Sequence, residues 1–314
     1  MTRIVACLTI DTEPDCDARW KQRVPLEFES FLRGVPLFLR PILDRFEVPP
    51  VYLVTPGMLT SVECCRLLKE ELVKGAEIGS HLHVARGIAS CQEIAKGPRG
   101  TYMCSAYPDE IEYRELKDHD ENIKKVLGVK ATSFRAGRYG ADINTITSLS
   151  RLGYTVDTSV TPGINWAVKG GPDFSGYPEQ PYFVDTENKE FSSASAKRGI
   201  LEVPVTINGK RAPFLPDKWL FYRWLRPSFM TGLELRALVD DVVGRNGDRG
   251  IVVLCMMFHS MELIPGMSPY VRDRLSQKYF FMKLERIFGY MRSLNASFLT
   301  LSEICDLMGE GTNP

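Results

Sequence analysis

Short apolar runs alternate along the chain with segments in which apolar residues recur every three or four positions. The apolar runs predict buried strands, and they cover Val5–Ile10, Val51–Val54, Ala76–His83, 133–135, 154–156, Ile251–Phe258 and Ser297–Thr300. The periodic segments predict amphipathic helices, and they cover 28–43, 59–72, 109–127, 143–152, 231–243, 271–291 and the chain from Ser302. This alternation predicts an α/β fold with a parallel sheet and crossover helices, either open or closed into a barrel.

Two long segments lack this periodicity. Residues 84–107 contain several glycines and prolines and predict a long loop. Residues 161–230 are rich in proline, glycine, tryptophan and tyrosine, and their one clear apolar run is 200–207. Because 161–230 has few apolar stripes, we interpret it as an irregular elaboration that shapes a substrate cleft. The sequence therefore predicts a single domain over residues 1–314.

Composition narrows the class of protein. The chain is 44% hydrophobic and 25% charged, as ordinary soluble globular proteins are. Lysine plus arginine equals aspartate plus glutamate, at 39 each, so no overall field attracts nucleic acid or an acidic membrane. No apolar run approaches the roughly 18 residues of a membrane span. The eight cysteines form no CxxC pair, and the first strand leaves no room for a signal peptide. We therefore expect a cytoplasmic protein without a nucleic-acid partner or a membrane span.

Ionisable residues follow the carboxyl ends of five predicted strands. They are Asp11 with Glu13, His81 with His83, Arg135, Asp157 and His259. In open and closed parallel sheets alike, functional residues collect at this edge. Three of the four histidines lie at such positions, which makes a functional site there the main prediction. The fourth, His119, lies among acids on the charged helix 109–127, and we expect it at the surface.

The first two of these groups have the spacing of a metal site. Residues two apart on a strand share a face, so Asp11 and Glu13 point into one space, as do His81 and His83. Two imidazoles and a carboxylate suit zinc or a similar divalent ion, which acidifies water for attack on a carbonyl. Alone, the acids indicate a turn that caps the next helix equally well, and the histidines indicate a polar pocket. The matching chemistry at the other strand ends favours the metal.

Two of the three remaining positions suit acid–base chemistry. His259 ends the most hydrophobic strand and is either a hydrogen-bonded core residue or a general acid that protonates a leaving amine. Arg135 can orient a carboxylate or an anionic substrate group, and an ion pair with Asp11 is compatible with both. Other chemistries lack their motifs, since the chain has no GxSxG, Walker or GxGxxG sequence in the required context.

Five segments resemble, in order, the motifs of the polysaccharide deacetylases with a NodB homology domain, which include carbohydrate esterase family 4. They are 9–13, 77–83, 134–140, 153–159 and 258–260, and 298–303 is similar to the strand and helix that close that domain. The resemblance implies a distorted (β/α)7 barrel that removes the acetyl group from an N-acetylated sugar. It also implies a branch similar to proteins of lipopolysaccharide O-antigen or capsule biosynthesis.

The resemblance implies a role for each residue of the strand ends. Asp11 is the expected base, Arg135 its orienting group, and His259 the acid, held by Asp157. Glu13, His81 and His83 are the expected ligands of a divalent metal, with zinc as the expected ion. Arg138 and Tyr139, in the third motif, are expected to contact the substrate, with a backbone N–H near Tyr139 on the oxyanion.

The chain departs from the family pattern at two positions. Thr12 separates Asp11 from Glu13, whereas the family usually has adjacent acids; related branches use the acid-x-acid form. The second histidine of the family usually lies four residues after the first, where this chain has Ala85, so His83 is the expected replacement. Two alternatives stay open: metal-free hydrolysis of a cyclic amide on the same scaffold, and a barrel that binds sugar without catalysis.

Overall fold

A computed structural model of the chain describes residues 2–83, 103–186, 191, 199–211 and 220–310. Its main sheet consists of β1 (Arg3–Thr12), β2 (Pro50–Val54), β3 (Glu77–Leu82), β4 (Ser133–Ala136), β5 (Val156–Asp157), β6 (Tyr182–Phe183), β7 (Leu201–Glu202), β10 (Ile251–His259) and β11 (Ser297–Phe298). Two further strands, β8 (Ile207–Arg211) and β9 (Leu220–Trp224), form an antiparallel ribbon. The predicted loop 84–107 lies outside the described residues as far as position 102.

The helices pack on the outside of the sheet or close its end. They are α1 (Arg40–Phe46), α2 (Val62–Val73), α3 (Asp109–Leu127), α4 (Ile143–Leu152), α5 (Gly232–Asn246), α6 (Arg274–Ser293) and α7 (Leu301–Glu310). A π-helical segment, Ser30–Leu39, leads directly into α1. Capping boxes begin three of these helices, with Asp142 before α4, Thr231 before α5 and Asp273 before α6, and they satisfy backbone N–H groups of each first turn.

The main sheet is parallel and curls into a barrel-like half-cylinder. Its order is β10-β1-β2-β3-β4-β5-β7-β6, with β11 beside β1, and only the β6–β7 pair of this path is antiparallel. The chain after β7 reaches the far edge of β10, where the Thr206 amide donates to the Cys255 carbonyl and the Cys255 amide to Thr206 Oγ1. The predicted distorted α/β barrel is confirmed, with seven parallel strands from β10 round to β7.

The inward-facing residues of β1 are apolar at the amino end of the barrel and polar at its carboxyl end. Val5 and Cys7 pack with Leu301 and Ile304 of α7, which closes the amino end of the barrel. The alternate residues of β1, such as Leu8, belong to the larger core between the sheet and the outer helices. Positions 9, 11 and 13 continue the inward face, and they are polar. The carboxyl end of the barrel is therefore lined with ionisable groups above an apolar floor.

His119 is buried, so the prediction that it lies at the surface is wrong. It is 4% exposed, and its Nε2 donates to the carbonyl oxygen of Val54 at 2.8 Å. The buried stripe of α3 contains polar residues where apolar ones are usual, among them Glu112 and Glu115, which hides the stripe from a hydrophobicity pattern. Burial lowers the pKa of His119 to about 4, so the imidazole is neutral in the folded protein.

Among the described residues, no helix combines the length and the apolar character that crossing a membrane requires.

The burial of His119 predicts an acid-sensitive contribution to stability. The unfolded chain protonates this imidazole near pH 6.5, whereas the folded chain resists protonation down to about pH 4. The free energy of unfolding should therefore lose about 3 kcal/mol through this group as the pH falls from about 6.5 to 4, and nothing above that window. His119→Gln keeps a donor for Val54 without titrating, so urea unfolding across this range should show a smaller loss. Equal losses in the two proteins would contradict the prediction.

Candidate active site

The carboxyl end of the barrel opens into a cavity of about 500 Å³. Its floor is formed by residues of three strands and the positions that follow them: Asp11, Glu13, His81, His83 and His259. The registers of β1 with β10 and of β3 with β4 explain this convergence, since Asp11 lies opposite His259 and His81 opposite Arg135. Parallel strands that end at one edge thus bring together five of the residues predicted from the sequence.

Glu13, His81 and His83 form a donor set for a cation. Their ligand atoms all lie within 4.8 Å of one another, with Glu13 Oε1 3.7 Å from His81 Nε2 and Glu13 Oε2 3.5 Å from His83 Nε2. The Nδ1 of His81 is 2.8 Å from the Arg135 carbonyl oxygen, which can only accept, so Nδ1 carries the proton. Nε2 faces Glu13, and in the neutral ring it offers the lone pair that a metal ligand requires. The residues present fit a divalent metal.

Gly137, in the third sequence motif, makes room for the unusual second histidine. A Cβ at Gly137 would lie 2.5 Å from Nδ1 and 2.6 Å from Cγ of His83. The rings of His81 and His83 stand nearly perpendicular, at 85°, with centroids 4.9 Å apart. His83 can therefore turn beside His81 toward Glu13 because position 137 has no side chain.

The charge of Glu13 is held by the two histidines. Burial raises the pKa of this carboxyl group. The positive charges of His83 and His81 in their protonated forms, and hydrogen bonds from them, outweigh burial and bring the pKa well below its ordinary value. Glu13 is thus ionised in the folded protein and available as an oxygen ligand.

Arg135 anchors Asp11 from inside the barrel. Its guanidinium is fully buried, and Nη1 donates to Asp11 Oδ1 at 2.7 Å. The same guanidinium donates from Nη2 to the hydroxyls of Thr9 (2.9 Å) and Thr158 (3.1 Å), and from Nε to the Thr158 carbonyl (2.9 Å). Burial alone would raise the pKa of Asp11, yet Arg135, His81 and His259 together lower it. Asp11 is an oriented anion whose Oδ2 stays directed at the cleft.

His259 faces Asp11 across the floor of the cavity, and its other nitrogen contacts Glu262. Nε2 lies 3.7 Å from Asp11 Oδ2 and 3.9 Å from Glu13 Oε1. Nδ1 lies 3.1 Å from Glu262 Oε1. The family resemblance predicted Asp157 at this place, and the structure corrects that pairing. Glu262 follows His259 by three residues in the turn after β10, a spacing that could have suggested it.

Asp157 is instead linked to strand β4 through the hydroxyl of Ser159. Its carboxylate accepts a hydrogen bond of 2.7 Å from the Ser159 hydroxyl, and that hydroxyl oxygen accepts from the Ala136 amide at 2.9 Å. Glu202, from the neighbouring strand β7, lies against Asp157. Burial, reinforced by the Asp157 charge, raises the pKa of Glu202 well above its ordinary value, so Glu202 keeps its proton. Val156 packs in the interior cluster of the barrel, so Asp157, the next residue of β5, lies on the outer face of the sheet beside Phe134, away from His259.

Arg138 and Tyr139 line the cavity on the turn that follows Arg135. Both have left-handed backbone conformations, with φ of 56° and 58°. Such conformations cost about 1–3 kcal/mol each for residues other than glycine and cluster at functional sites. The turn thereby carries two large side chains from a buried strand end to the cavity wall.

Aromatic side chains form the upper wall of the cavity. They are Trp20, Tyr139, Trp166, Trp224, Phe229 and Tyr270. Trp166 stacks on Tyr139 with centroids 6.0 Å apart and planes at 15°. Three of these residues lie in the segment 161–230, so the expectation that this segment shapes a cleft is confirmed by its described part. Trp20 and Arg226 also line the cavity, and no sequence pattern predicted them, because they are brought there by elements distant in sequence.

The sequence matches no protein-family model and no curated protein. Solved structures do share the architecture. A structure assigned as a polysaccharide deacetylase from Mycobacterium smegmatis aligns with a TM-score of 0.59 and 14% identity over 100% of this chain and 92% of that one. A second structure, assigned as a polysaccharide deacetylase from Pseudomonas aeruginosa PAO1, aligns with a TM-score of 0.59 and 15% identity over 97% of this chain and 90% of that one. The structure of the PuuE allantoinase aligns with a TM-score of 0.60 and 12% identity over 100% of this chain and 92% of that one. The fold is that of the polysaccharide deacetylases. At these identities the likeness concerns the fold alone.

The close approach of Gly137 to His83 predicts that this glycine sets metal affinity. Gly137→Ala should displace the His83 ring and weaken zinc binding about 10- to 100-fold, as loss of support for a ligand does. Gly176→Ala, where a Cβ meets nothing within 4 Å, is the matched control. Isothermal titration of the purified protein with zinc measures the difference. Unchanged affinity in the folded Gly137→Ala protein would show that His83 is not a ligand.

Proposed function

We propose that this protein is a metal-dependent hydrolase that removes an N-acetyl group from an N-acetylated sugar. The observation that carries the proposal is the Glu13–His81–His83 donor set beside the Asp11–Arg135 ion pair, on the fold of polysaccharide deacetylases. Three protein ligands of the N,N,O type suit zinc in a catalytic rather than a structural arrangement. Bound there, the ion would polarise the acyl carbonyl and acidify a water molecule.

The base of the reaction is Asp11. Arg135 occupies Oδ1, so Oδ2 is the oxygen that takes a proton from the attacking water. The water oxygen forms a bond to the acyl carbon, and the resulting tetrahedral species collapses with cleavage of the C–N bond. Because Arg135 is permanently charged and fully buried, it keeps Asp11 ionised and fixed in direction before the substrate arrives.

The acid of the reaction is His259. Its Nε2 lies 3.7 Å from Asp11 Oδ2, so both groups reach atoms of one amide held between them. The proton of Nε2 passes to the departing nitrogen, which leaves as an amine, and the acyl group leaves as acetate. Tyr139 and Arg138, at the cavity wall, contact the substrate beside the cleaved bond, as expected from the third motif.

The substrate class is a sugar because the cavity combines ionisable groups at its floor with aromatic faces above them. Aromatic rings offer large, rigid surfaces to the apolar face of a sugar ring. With the motif resemblance, this supports a place in surface polysaccharide biosynthesis, of the O-antigen or capsule type, in a cytoplasmic single-domain protein.

Hydrolysis of a cyclic amide is the second candidate function, supported by the allantoinase of the same fold. It differs from the first in its reliance on metal. Metal analysis of the purified protein, with activity before and after chelation, separates them: the deacetylase is inactivated and recovers with zinc, and a metal-free hydrolase is unaffected.

Asp11→Asn should reduce acetate release by about 10²- to 10⁴-fold, the usual contribution of a general base. Zinc affinity should change little, since Asp11 is not in the donor set. The measurement is acetate release from nucleotide-linked, lipid-linked and oligomeric N-acetyl sugars, with the exposed Asp248→Asn as control. Full activity of Asp11→Asn would exclude this mechanism. A wild-type protein that binds these sugars but releases no acetate from any of them would indicate the non-catalytic barrel.

A further inference from the structure

A buried ion pair lies against the Nδ1 side of His259, and its arginine, Arg226, also lines the cavity. Glu262 is fully buried and Arg226 is 4% exposed. Oε1 of Glu262 accepts hydrogen bonds from Nη2 of Arg226 and from the backbone N–H of His259, the latter at 3.2 Å. The same oxygen lies 3.1 Å from Nδ1 of His259. A single carboxylate oxygen thus joins the imidazole, its own backbone and a permanent cation.

Arg226 is itself immobilised by the elaboration that carries it. Its Nε donates to the Ser228 hydroxyl at 3.0 Å. Its guanidinium carbon lies 4.1 Å from the ring centroid of Phe229 and 4.9 Å from that of Tyr270. Contacts with two aromatic rings, whose centroids lie 4.8 Å apart, and the hydrogen bond from Nε hold the guanidinium in place.

The contact geometry permits two protonation patterns. Nη2 of Arg226 is also 3.0 Å from Nδ1 of His259, so Arg226 either donates to a bare Nδ1 or shares Glu262 with a protonated one. The carboxylate favours the second, because an ionised acceptor binds both donors more strongly than imidazole binds one. Burial alone would raise the pKa of Glu262, but Arg226 and His259 lower it to about 2, so the acceptor is charged.

We propose that Arg226 and Glu262 are positioning residues for His259: Glu262 holds the Nδ1–H in the doubly protonated ring and in the neutral ring left after proton transfer, and Arg226 holds Glu262, so that Nε2 points at Asp11 and is the nitrogen that gives up a proton. This inference rests on the proposed function, in which Nε2 delivers the proton to the leaving nitrogen. The Trp20 ring, 5.0 Å from the imidazole centroid and tilted by 56°, confines the ring from another side. The irregular segment 161–230 would thereby take part in proton delivery as well as in shaping the cleft.

The first test is the protonation of Nδ1, which does not depend on activity. The chain has four histidines, so ¹⁵N-histidine labelling of the full chain, with His259→Gln for assignment, resolves the ring nitrogens of His259. We expect the shift of a protonated Nδ1 in the wild-type protein. The double variant Arg226→Met/Glu262→Leu replaces both charges by apolar groups, which buried pairs often tolerate, and should shift His259 toward the Nε2–H tautomer. A bare Nδ1 in the wild-type protein would overturn the proposal.

The second test separates proton delivery from structural support. Glu262→Gln should lower kcat for an N-acetyl amine about 10- to 100-fold, as loss of an orienting partner does, with little change in KM. Hydrolysis of p-nitrophenyl acetate should fall far less, because the p-nitrophenolate leaves without a proton. Glu71→Gln is the matched control, since Glu71 forms an equally buried pair with Arg40 away from the cavity.

Three outcomes have distinct meanings. Equal losses on the amide and the ester, or losses no greater than those of Glu71→Gln, would overturn the positioning role. A selective loss on the amide supports it. A wild-type protein with a protonated Nδ1 but no activity on N-acetyl amines would remove the proposed function while the contact geometry stands.

Discussion

The ion pair between Arg135 and Asp11 is the interaction around which the carboxyl end of the barrel is built. A guanidinium with no exposed surface loses its hydration, a cost of several kcal/mol that only matched partners offset. Here the partners come from β1 and from the chain that follows β5, so β4 is tied to both. The same pair fixes the charge and direction of Asp11, and the Arg135 carbonyl fixes the tautomer of His81. One buried residue therefore orients both Asp11 and a histidine of the Glu13–His81–His83 donor set.

Apolar burial elsewhere in the barrel offsets the free-energy cost of burying these charges. The inward face of β1 is apolar at Val5 and Cys7, where α7 closes the barrel, and polar from Thr9 onward. Apolar burial at the closed end stabilises the sheet, so the open end can hold charged groups. The site thus depends on the change from apolar to polar residues along the inward face of β1, and the period of two determines which residues share that face.

The elaboration 161–230 and the turn after β10 complete the site with residues that lie outside the strand ends. Trp166 and Trp224 wall the cavity, while Arg226 and Glu262 form a buried pair against His259. In this arrangement the base of the proposed reaction has a buried cationic partner, and the acid has a buried anionic partner. Asp11 is held by an arginine, and His259 is held by a glutamate that an arginine anchors.

The sequence by itself determined the order of strands and helices, the polar edge, and the residues that meet there. These follow from local periodicity and from one topological rule, that parallel strands end at a common edge, so Asp11, Glu13, His81 and His259 could be named without coordinates. The partner of His259 and the burial of His119 were decided by tertiary structure. The alternation along β5 turns Asp157 to the outer face of the sheet, so that Glu262 contacts His259 instead, and α3 turns a polar stripe toward the sheet. Periodicity reports the face on which a residue lies, and the packing of the folded chain decides what that face contacts.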